Sequence, residues 1–245
     1  MSVDLWAALR ARTPARIGLG RSGDALPTSA VLALGASHAA ARDAVHHPLD
    51  VAAVCADLAE LGIGEPVVVP SAAPDRATYL TRPDLGRLPG SDLPAAPATP
   101  TTDLAVVLAD GLSATALEQH GVPVLRALLP LLDAATGVAP PVVAVQARVA
   151  LGDHIGQALG ARAVLVLIGE RPGLSASDSL GAYLTWAPAP GILDSARNCV
   201  SNIRPPHGLD HGTAARLIAS LLSGARRLGA SGVRLKPEAG FFIER

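Results

Sequence analysis

The sequence contains few aromatic residues and few cysteines. Phe, Trp and Tyr make up only 2% of its 245 residues, while 49% are hydrophobic, so the core must consist mainly of Ala, Val and Leu. Cys55 and Cys199 are the two cysteines, too few for a four-thiolate zinc site or a disulfide framework. We therefore expect neither a zinc-stabilised nor a disulfide-stabilised small fold.

The sequence also lacks an excess of one charge, a long apolar run and a signal peptide. Lys and Arg number 20 and Asp and Glu 21, for a net charge of −1, which gives no reason to expect nucleic acid or an anionic membrane as partner. The longest apolar runs, such as residues 163–168, fall far short of the roughly 20 residues that span a bilayer. Residues 1–6 lack the basic start of a signal peptide, so we expect a cytoplasmic protein.

The first hundred residues show helical patterns and end in a Pro-rich stretch. Helices are predicted over residues 3–12, 28–45 and 51–61. Thr28 or Ser29 would cap the second helix, and Asp50 would cap the third, which stops at Gly62. Residues 66–70 form a short extended segment. The Pro-, Ala- and Thr-rich residues 88–102 lack an apolar period and indicate a linker.

Beyond residue 101, runs of Val, Leu and Ile alternate with helical patterns. Strands are predicted over residues 104–109, 141–145, 163–168, 182–186 and 232–235, and helices after Ser113 and over 151–159 and 212–227. This alternation indicates a parallel sheet covered on both faces. The predicted fold is therefore α/β, with a mainly helical N-terminal region and linker over residues 1–100 and a Rossmann-like parallel-sheet domain over residues 101–245.

Residues Gly18–Gly23 match the Gly-x-Gly-x-x-Gly spacing of a dinucleotide-binding turn. That motif needs a strand before it and a helix that opens on its last glycine. Only residues 15–17 precede the motif here, and Pro27 interrupts the segment after it. A nucleotide-dependent oxidoreductase is thus the less favoured hypothesis, and a segment that becomes ordered on contact with a partner is favoured.

Asp110-Gly-Leu-Ser113 lies where a predicted strand gives way to a helix. Asp110 could be a catalytic or metal-binding carboxylate. Alternatively, Ser113 caps the helix while Gly111 makes the turn, and this is the interpretation we favour.

Glu170 and Arg171 come directly after the most apolar predicted strand, where open α/β sheets bind ligands. Glu170 offers a carboxylate acceptor and Arg171 a planar set of donors. Together they suit a ligand rich in amide groups, although a solvated loop pair explains the same spacing equally well.

Cys199, His207 and His211 do not form a catalytic or metal-binding set. Cys199 is expected to behave as a small hydrophobic residue, because no base that would activate it is visible in its surroundings. The two histidines have helical spacing, but Pro205 and Pro206 make the first position non-helical. We therefore predict no catalytic residue and no metal ligand.

Six segments occur in an order that resembles one protein family. They are Arg42–His46, Ser71–Asp75, Tyr79–Gly86, Asp110–Ser113, Gly169–Gly173 and Asn198–Ile203. The series is similar to the small (light) subunit of ethanolamine ammonia-lyase, an adenosylcobalamin enzyme, and the similarity extends from about Leu9 to Gly232. Each segment is a weak signal by itself, whereas the ordered set is specific.

The resemblance implies a hetero-oligomer that acts as a carbon–nitrogen lyase. In the family, a large TIM-barrel subunit binds ethanolamine, which is converted to acetaldehyde and ammonia by radical chemistry. The small subunit closes the cobalamin site with its α/β domain and is inactive alone. The resemblance also allows residence in a bacterial microcompartment. The alternative is a non-catalytic assembly or regulatory subunit.

The resemblance further implies cobalamin contacts at Val149, Glu170 and Cys199. The amide side chains of the corrin ring suit the Glu170 carboxylate, Val149 would give an apolar contact, and Cys199 a packing contact. Arg148 and Arg171 are further candidates, for corrin carbonyls or for the phosphate of the nucleotide loop. No Asp-x-His-x-x-Gly motif is present, so cobalamin would keep its own benzimidazole ligand.

Overall fold

The computed structural model describes residues 5–235. They form a mixed α/β fold around one six-stranded sheet with the order β1-β3-β2-β4-β5-β6. Its strands are β1 (Val67–Pro70), β2 (Thr102–Ala109), β3 (Val142–Val145), β4 (Ala161–Gly169), β5 (Leu180–Trp186) and β6 (Arg197–Ile203). No helix within this part of the chain has the length and apolarity needed to cross a membrane.

Four strands of the sheet are parallel, and two antiparallel strands extend it. Strands β1, β3, β2 and β4 pair in parallel, whereas β5 pairs antiparallel with both β4 and β6. Strands β2 and β4 lie at the centre and are buried almost throughout. This burial explains why their sequences are continuous apolar runs rather than alternating ones.

Seven α-helices accompany the sheet in residues 5–235. They are α1 (Ala7–Arg10), α2 (Thr28–His46), α3 (Val51–Ala59), α4 (Arg76–Thr81), α5 (Ala114–Leu128), α6 (Leu151–Ala158) and α7 (His211–Leu228). Helices α3, α5 and α7 pack on one face of the sheet. The short helix α6 covers part of the other face. The core is built from Leu, Val and Ala as predicted, with Tyr79 its largest fully buried side chain.

Side-chain caps fix several helix starts. The Asp50 carboxylate accepts a hydrogen bond from Ala53 N–H (3.0 Å), which confirms the predicted cap of α3. The prediction of a Thr28 or Ser29 cap for α2 is wrong, because Pro27 occupies the cap position and Thr28 is already helical. The predicted helix over residues 3–12 is reduced to α1, and residues 3 and 4 lie outside the described part.

The predicted strand over residues 232–235 is wrong. Residues Gly232–Arg234 form a 3-10 turn. Gly232 has φ +77° and packs directly against the backbone of Ser195 and Ala196, so the chain turns where an extended strand would need to continue. Strand β6 was not predicted, because its buried residues recur at every third position rather than at every second one, and several of its side chains are polar.

The first forty described residues differ from the rest in burial. Of residues 5–46, which we call the N-terminal arm, Ala44 alone is buried. Residues 51–235, which we call the sheet body, contain the sheet and its covering helices α3, α5, α6 and α7. The predicted domain division at residue 100 stays a prediction, and strand β1 lies before it and pairs with β3 beyond it.

Candidate functional site

A crevice lies at the carboxyl ends of the central parallel strands, where the loops after β2, β3 and β4 meet. It consists of two neighbouring cavities of about 410 Å³ and 630 Å³ that share Arg148, Val149 and Tyr183 as lining residues. Glu170 lines the smaller cavity and Asp194 the larger one. Ligands of open α/β sheets bind in this position.

Val149 lies in the loop between β3 and α6, and a buried carboxylate holds that loop in place. Asp110, at the end of β2, accepts hydrogen bonds from the N–H groups of Gln146 (2.9 Å) and Ala147 (3.0 Å). Arg76 donates to the same carboxylate at 3.2 Å. Burial raises the pKa of Asp110, opposed by these hydrogen bonds and by the Arg76 charge. Asp110 therefore acts here as an anchor for the loop that presents Val149.

After Asp110, the structure shows the arrangement favoured by the sequence, in which Gly111 makes a turn and Ser113 caps a helix. Ser113 Oγ accepts a hydrogen bond from Ala116 N–H (3.2 Å) and caps α5. Gly111 has φ +56° and lies directly against the carbonyl of Gly169, a position that leaves no room for a side chain. The interpretation of this segment as cap and turn is confirmed.

Glu170 lies directly after β4 and is held by groups from two other segments. Its carboxylate accepts hydrogen bonds from Ser179 Oγ (2.5 Å), Ser201 Oγ (2.6 Å) and Asn202 N–H (3.3 Å). A carboxylate has about four acceptor positions, so one stays available to a ligand. The three donors fix the orientation of the group before any ligand arrives.

Cys199 lies on β6 directly opposite Tyr183 of β5. Partial desolvation raises the pKa of the Cys199 thiol, and the nearby Glu170 charge acts in the same direction, although a hydrogen bond with Tyr183 opposes both. A nucleophilic cysteine needs a depressed pKa. The raised pKa therefore does not favour a nucleophilic role. Cys199 is exposed, so the expectation that it behaves as a small hydrophobic residue of the protein interior is wrong.

The structure thus brings the three sequence-predicted residues to one rim. Val149 and Tyr183 line both cavities. Cys199 pairs with Tyr183, and Ser201, two residues further along β6, donates to Glu170. Arg171 also lines the smaller cavity and is exposed.

Both tyrosines of the chain belong to this crevice, and the sequence analysis missed them. Tyr79 lies between two guanidinium groups, with the Cζ atoms of Arg76 and Arg148 at 4.9 Å and 4.6 Å from its ring centroid. Its hydroxyl donates to the carbonyl of Ala147 (3.0 Å). Burial raises the pKa of Tyr79 above its usual range, so the hydroxyl stays a donor at neutral pH. A signal was present for Tyr79, which begins the segment Tyr79–Gly86 of the family resemblance.

A buried ion pair lies close to the crevice. The guanidinium of Arg197 donates to both oxygens of Asp153, at 2.6 Å and 2.7 Å, with both side chains almost fully buried. Arg197 Nε also donates to Asp194, a lining residue of the larger cavity, at 3.2 Å. The pair connects α6, β6 and the segment that carries Asp194.

The histidines form a different pair from the one that the sequence suggested. Nε2 of His211 lies 3.1 Å from Nδ1 of His120 on α5, and His207 lies in the turn before α7. Within residues 5–235, no group of three His, Cys, Asp or Glu side chains is placed to hold a metal ion.

The glycine motif of the N-terminal arm lacks the setting of a dinucleotide site. No strand precedes Gly18 among the described residues, and α2 begins only at Thr28. A concave region of about 680 Å³ lies beside Gly18 and Gly20, next to Trp6. Because a phosphate-binding turn needs a helix N-terminus directly after its glycines, this arrangement does not favour a nucleotide.

The fold and crevice define a class: a mixed α/β protein with an open ligand crevice at the carboxyl ends of its parallel strands. Comparison with known proteins gives the family. The family of the ethanolamine ammonia-lyase light chain (EutC) matches residues 3–236. The chain therefore belongs to the ethanolamine ammonia-lyase light-chain, or small-subunit, family, which confirms the resemblance drawn from the ordered segments.

Individual relatives agree with this assignment. The ethanolamine ammonia-lyase small subunit of Rhodococcus erythropolis is 53% identical over 234 residues, which cover 96% of this chain and 90% of that protein. The small subunit of Bradyrhizobium diazoefficiens is 52% identical over 236 residues (94% and 90%). That of Azotobacter vinelandii is 49% identical over 241 residues (96% and 88%).

Proposed function

We propose that this chain is the small subunit of an adenosylcobalamin-dependent ethanolamine ammonia-lyase, which converts ethanolamine to acetaldehyde and ammonia by a radical mechanism. Its crevice would close one side of the cobalamin site at the interface with the large subunit. The observation that carries the proposal is that Val149 and Glu170 line one crevice, with Cys199 directly opposite the lining residue Tyr183.

The chemistry of the crevice fits cobalamin. The corrin ring has an apolar face, a fringe of amide groups and a nucleotide loop with a phosphate. Val149 and Tyr183 offer apolar and aromatic surface, and Glu170 has an acceptor position available for an amide NH₂. Nε of Arg148 is buried without a hydrogen-bond partner among the described residues, which is a donor that a ligand could satisfy.

The residues of this chain would bind and shield the cofactor rather than react. When bound, adenosylcobalamin supplies the radical chemistry, and the protein supplies binding, orientation and protection from solvent. Glu170 accepts from an amide, Val149 packs against the cofactor, and Cys199 fills the rim with a protonated thiol. We assign no catalytic residue to this subunit.

The distribution of exposed hydrophobic residues on this chain favours an interface with a larger partner subunit. The described residues include 15 exposed large hydrophobic residues, and seven of them lie within residues 5–34. Scattered exposed apolar residues are normal, whereas a concentration of this kind marks an interface. We propose that the large subunit covers this part of the N-terminal arm. Residence of the assembly in a bacterial microcompartment stays a prediction.

The proposal is tested by co-expressing the chain with the large subunit of its own organism. We expect acetaldehyde formation from ethanolamine only when both chains and adenosylcobalamin are present, and we expect cobalamin, not NAD, to bind the complex. Activity of either chain alone would refute the division of labour. Failure of the wild-type complex to bind cobalamin would refute the proposed site.

Replacement of Glu170 by Gln tests the role of the carboxylate. The E170Q complex should bind cobalamin about 1–3 kcal/mol more weakly, the usual contribution of a hydrogen bond to a charged group. Equilibrium titration followed by absorbance measures the change. The matched control is E118Q on α5, whose carboxylate accepts from His47 and Asp50 outside the crevice. Equal affinity of E170Q and wild type would contradict the role.

A further inference from the structure

Arg148 is a cation of the crevice without an internal counter-ion. Among residues 5–235, its guanidinium makes no hydrogen bond and no ion pair, and its Nε is buried. It lines both cavities, with one face against the ring of Tyr79. Because a buried polar group without a hydrogen-bond partner is costly, the buried Nε of this half-buried residue points to an acceptor that a ligand supplies.

The carboxylates around Arg148 are already engaged elsewhere. Asp110 accepts from Arg76, Asp84 from Arg82 and Asp194 from Arg197. The fourth, Glu170, is held by two serine hydroxyls and a backbone N–H. None of these pairs includes Arg148.

The neighbouring Arg76 differs from Arg148 because its guanidinium has acceptors within this chain, and only its Nη2 atom is buried without a partner. It also lies over the Tyr79 ring and donates to Asp110, to the carbonyl of Gly111 (2.9 Å) and to that of Val45 (2.8 Å). Arg148 has the same stacking partner and none of the acceptors. This difference indicates that the guanidinium of Arg148 is available to a hydrogen-bond acceptor that does not belong to this chain.

The position of Arg148 is fixed in advance. Its backbone N–H donates to the carbonyl of Gly86 (2.7 Å). A Cβ at Gly86 would come within 3.0 Å of Cγ of Arg148 and 2.8 Å of Cε2 of Tyr79, so the three residues pack closely. Such pre-organisation lowers the entropy lost when a ligand binds.

We propose that Arg148 binds the phosphate of the cobalamin nucleotide loop, an inference that rests on the proposed function. The phosphate is the one anionic group of the cofactor, whose other peripheral groups are neutral amides. A planar guanidinium matches an oxyanion through two parallel hydrogen bonds. The crevice would then have an anion-binding group at Arg148 and an amide-binding group at Glu170, which together define the orientation of the cofactor. Arg171, exposed and without this packing, is not assigned to the phosphate.

The test compares cobalamin with cobinamide, which has the corrin ring and its amides but lacks the nucleotide loop and phosphate. The complex of both subunits is titrated with cyanocobalamin and with dicyanocobinamide, and binding is followed by absorbance. We expect R148M to weaken cobalamin binding roughly tenfold or more and to leave cobinamide binding unchanged. The matched control is R126M, on α5 and outside the crevice, which should leave the affinity for both ligands unchanged.

Each of the other possible titration results would contradict a different part of the proposal. Equal weakening of both ligands in R148M would place Arg148 on an amide and overturn the phosphate assignment. Unchanged cobalamin affinity would remove Arg148 from the site. If R148M does not assemble with the large subunit, R148Q, which keeps a polar donor and lacks the charge, is read by the same two criteria. If the wild-type complex binds neither ligand, the proposed function fails rather than this inference.

Discussion

The helices of the N-terminal arm and those of the sheet body differ in how many of their residues are buried. Helix α2 of the arm has 19 residues, of which Ala44 is buried. Helix α5 of the body has 15 residues, nine of them buried against the sheet and its neighbours. Since most helical stability in proteins comes from packing of an apolar face, α5 is stabilised within this chain. Helix α2 presents Val31, Leu32 and Leu34 to its surroundings.

The two regions nevertheless meet at the crevice. Arg16 of the arm donates to Ser37 on α2 (2.5 Å) and to the carbonyl of Leu174 (3.0 Å), in the loop after Glu170. Ser175 of the same loop donates to the carbonyl of Pro14 (3.4 Å). A partner that covers the arm would therefore also approach the rim of the crevice. The body is thus stabilised by its own packing, whereas the arm has the exposed apolar surface that we propose the large subunit covers.

The largest expected effect is a loss of folding stability when a buried ion pair of the sheet body is broken. D153N removes the buried charge partner of Arg197 and leaves it only the exposed Asp194 carboxylate, and breaking a buried pair in this way costs about 3–5 kcal/mol. Chemical denaturation of the purified chain measures the change. The control in the arm is D24N, an exposed position, which should change the free energy of unfolding by less than about 0.5 kcal/mol. Similar effects of the two variants would remove the distinction between the regions.

The second-largest expected effect is on the association of this chain with the large subunit. Leu32 is 67% exposed on α2, so L32S should leave the free energy of unfolding of the chain within about 0.5 kcal/mol of wild type. It should weaken association with the large subunit by more than about 1 kcal/mol if Leu32 is central to the interface. Co-purification and titration of the two subunits measure this. L131S, at a position of the body that is 46% exposed, is the control, and equal loss in both variants would contradict an interface on the arm.

The smallest effect is a pH dependence in the body. Burial, with the His211 charge as a second cause, lowers the pKa of His120, and burial lowers that of His211, although Asp178 and Asp210 act in the opposite direction. The folded state therefore binds protons less readily than the unfolded state, where the pKa of histidine is about 6.5. The stabilisation is complete above that value and is lost as the pH falls below it.

Denaturation at a series of pH values tests this dependence. Between pH values of about 7 and 5, the free energy of unfolding should decrease less in H120N than in wild type. H38N on the exposed surface of α2 should have the wild-type dependence. An H120N profile parallel to that of wild type would show that the histidine pair does not couple folding to pH.

Part of the fold is dictated by local sequence. The continuous apolar runs of β2 and β4 and the caps at Asp50 and Ser113 depend on residues close to each other in the chain, and each prediction was confirmed. The strand predicted over residues 232–235 was wrong, because the packing of Gly232 against Ser195 and Ala196 comes from a distant segment. Edge strand β6 was missed because its polar sequence lacks the apolar alternation of a half-buried strand.

The sequence by itself determined the α/β class, the buried strands and, through the order of six short segments, the family. Tertiary structure alone decided which side chains meet at the crevice. Arg148 stacks on Tyr79, Tyr183 pairs with Cys199, and Ser201 holds Glu170. Local periodicity reports only whether a residue faces a core. The strand order and register, which bring residues far apart in the chain into contact, are set by the packing of the whole sheet.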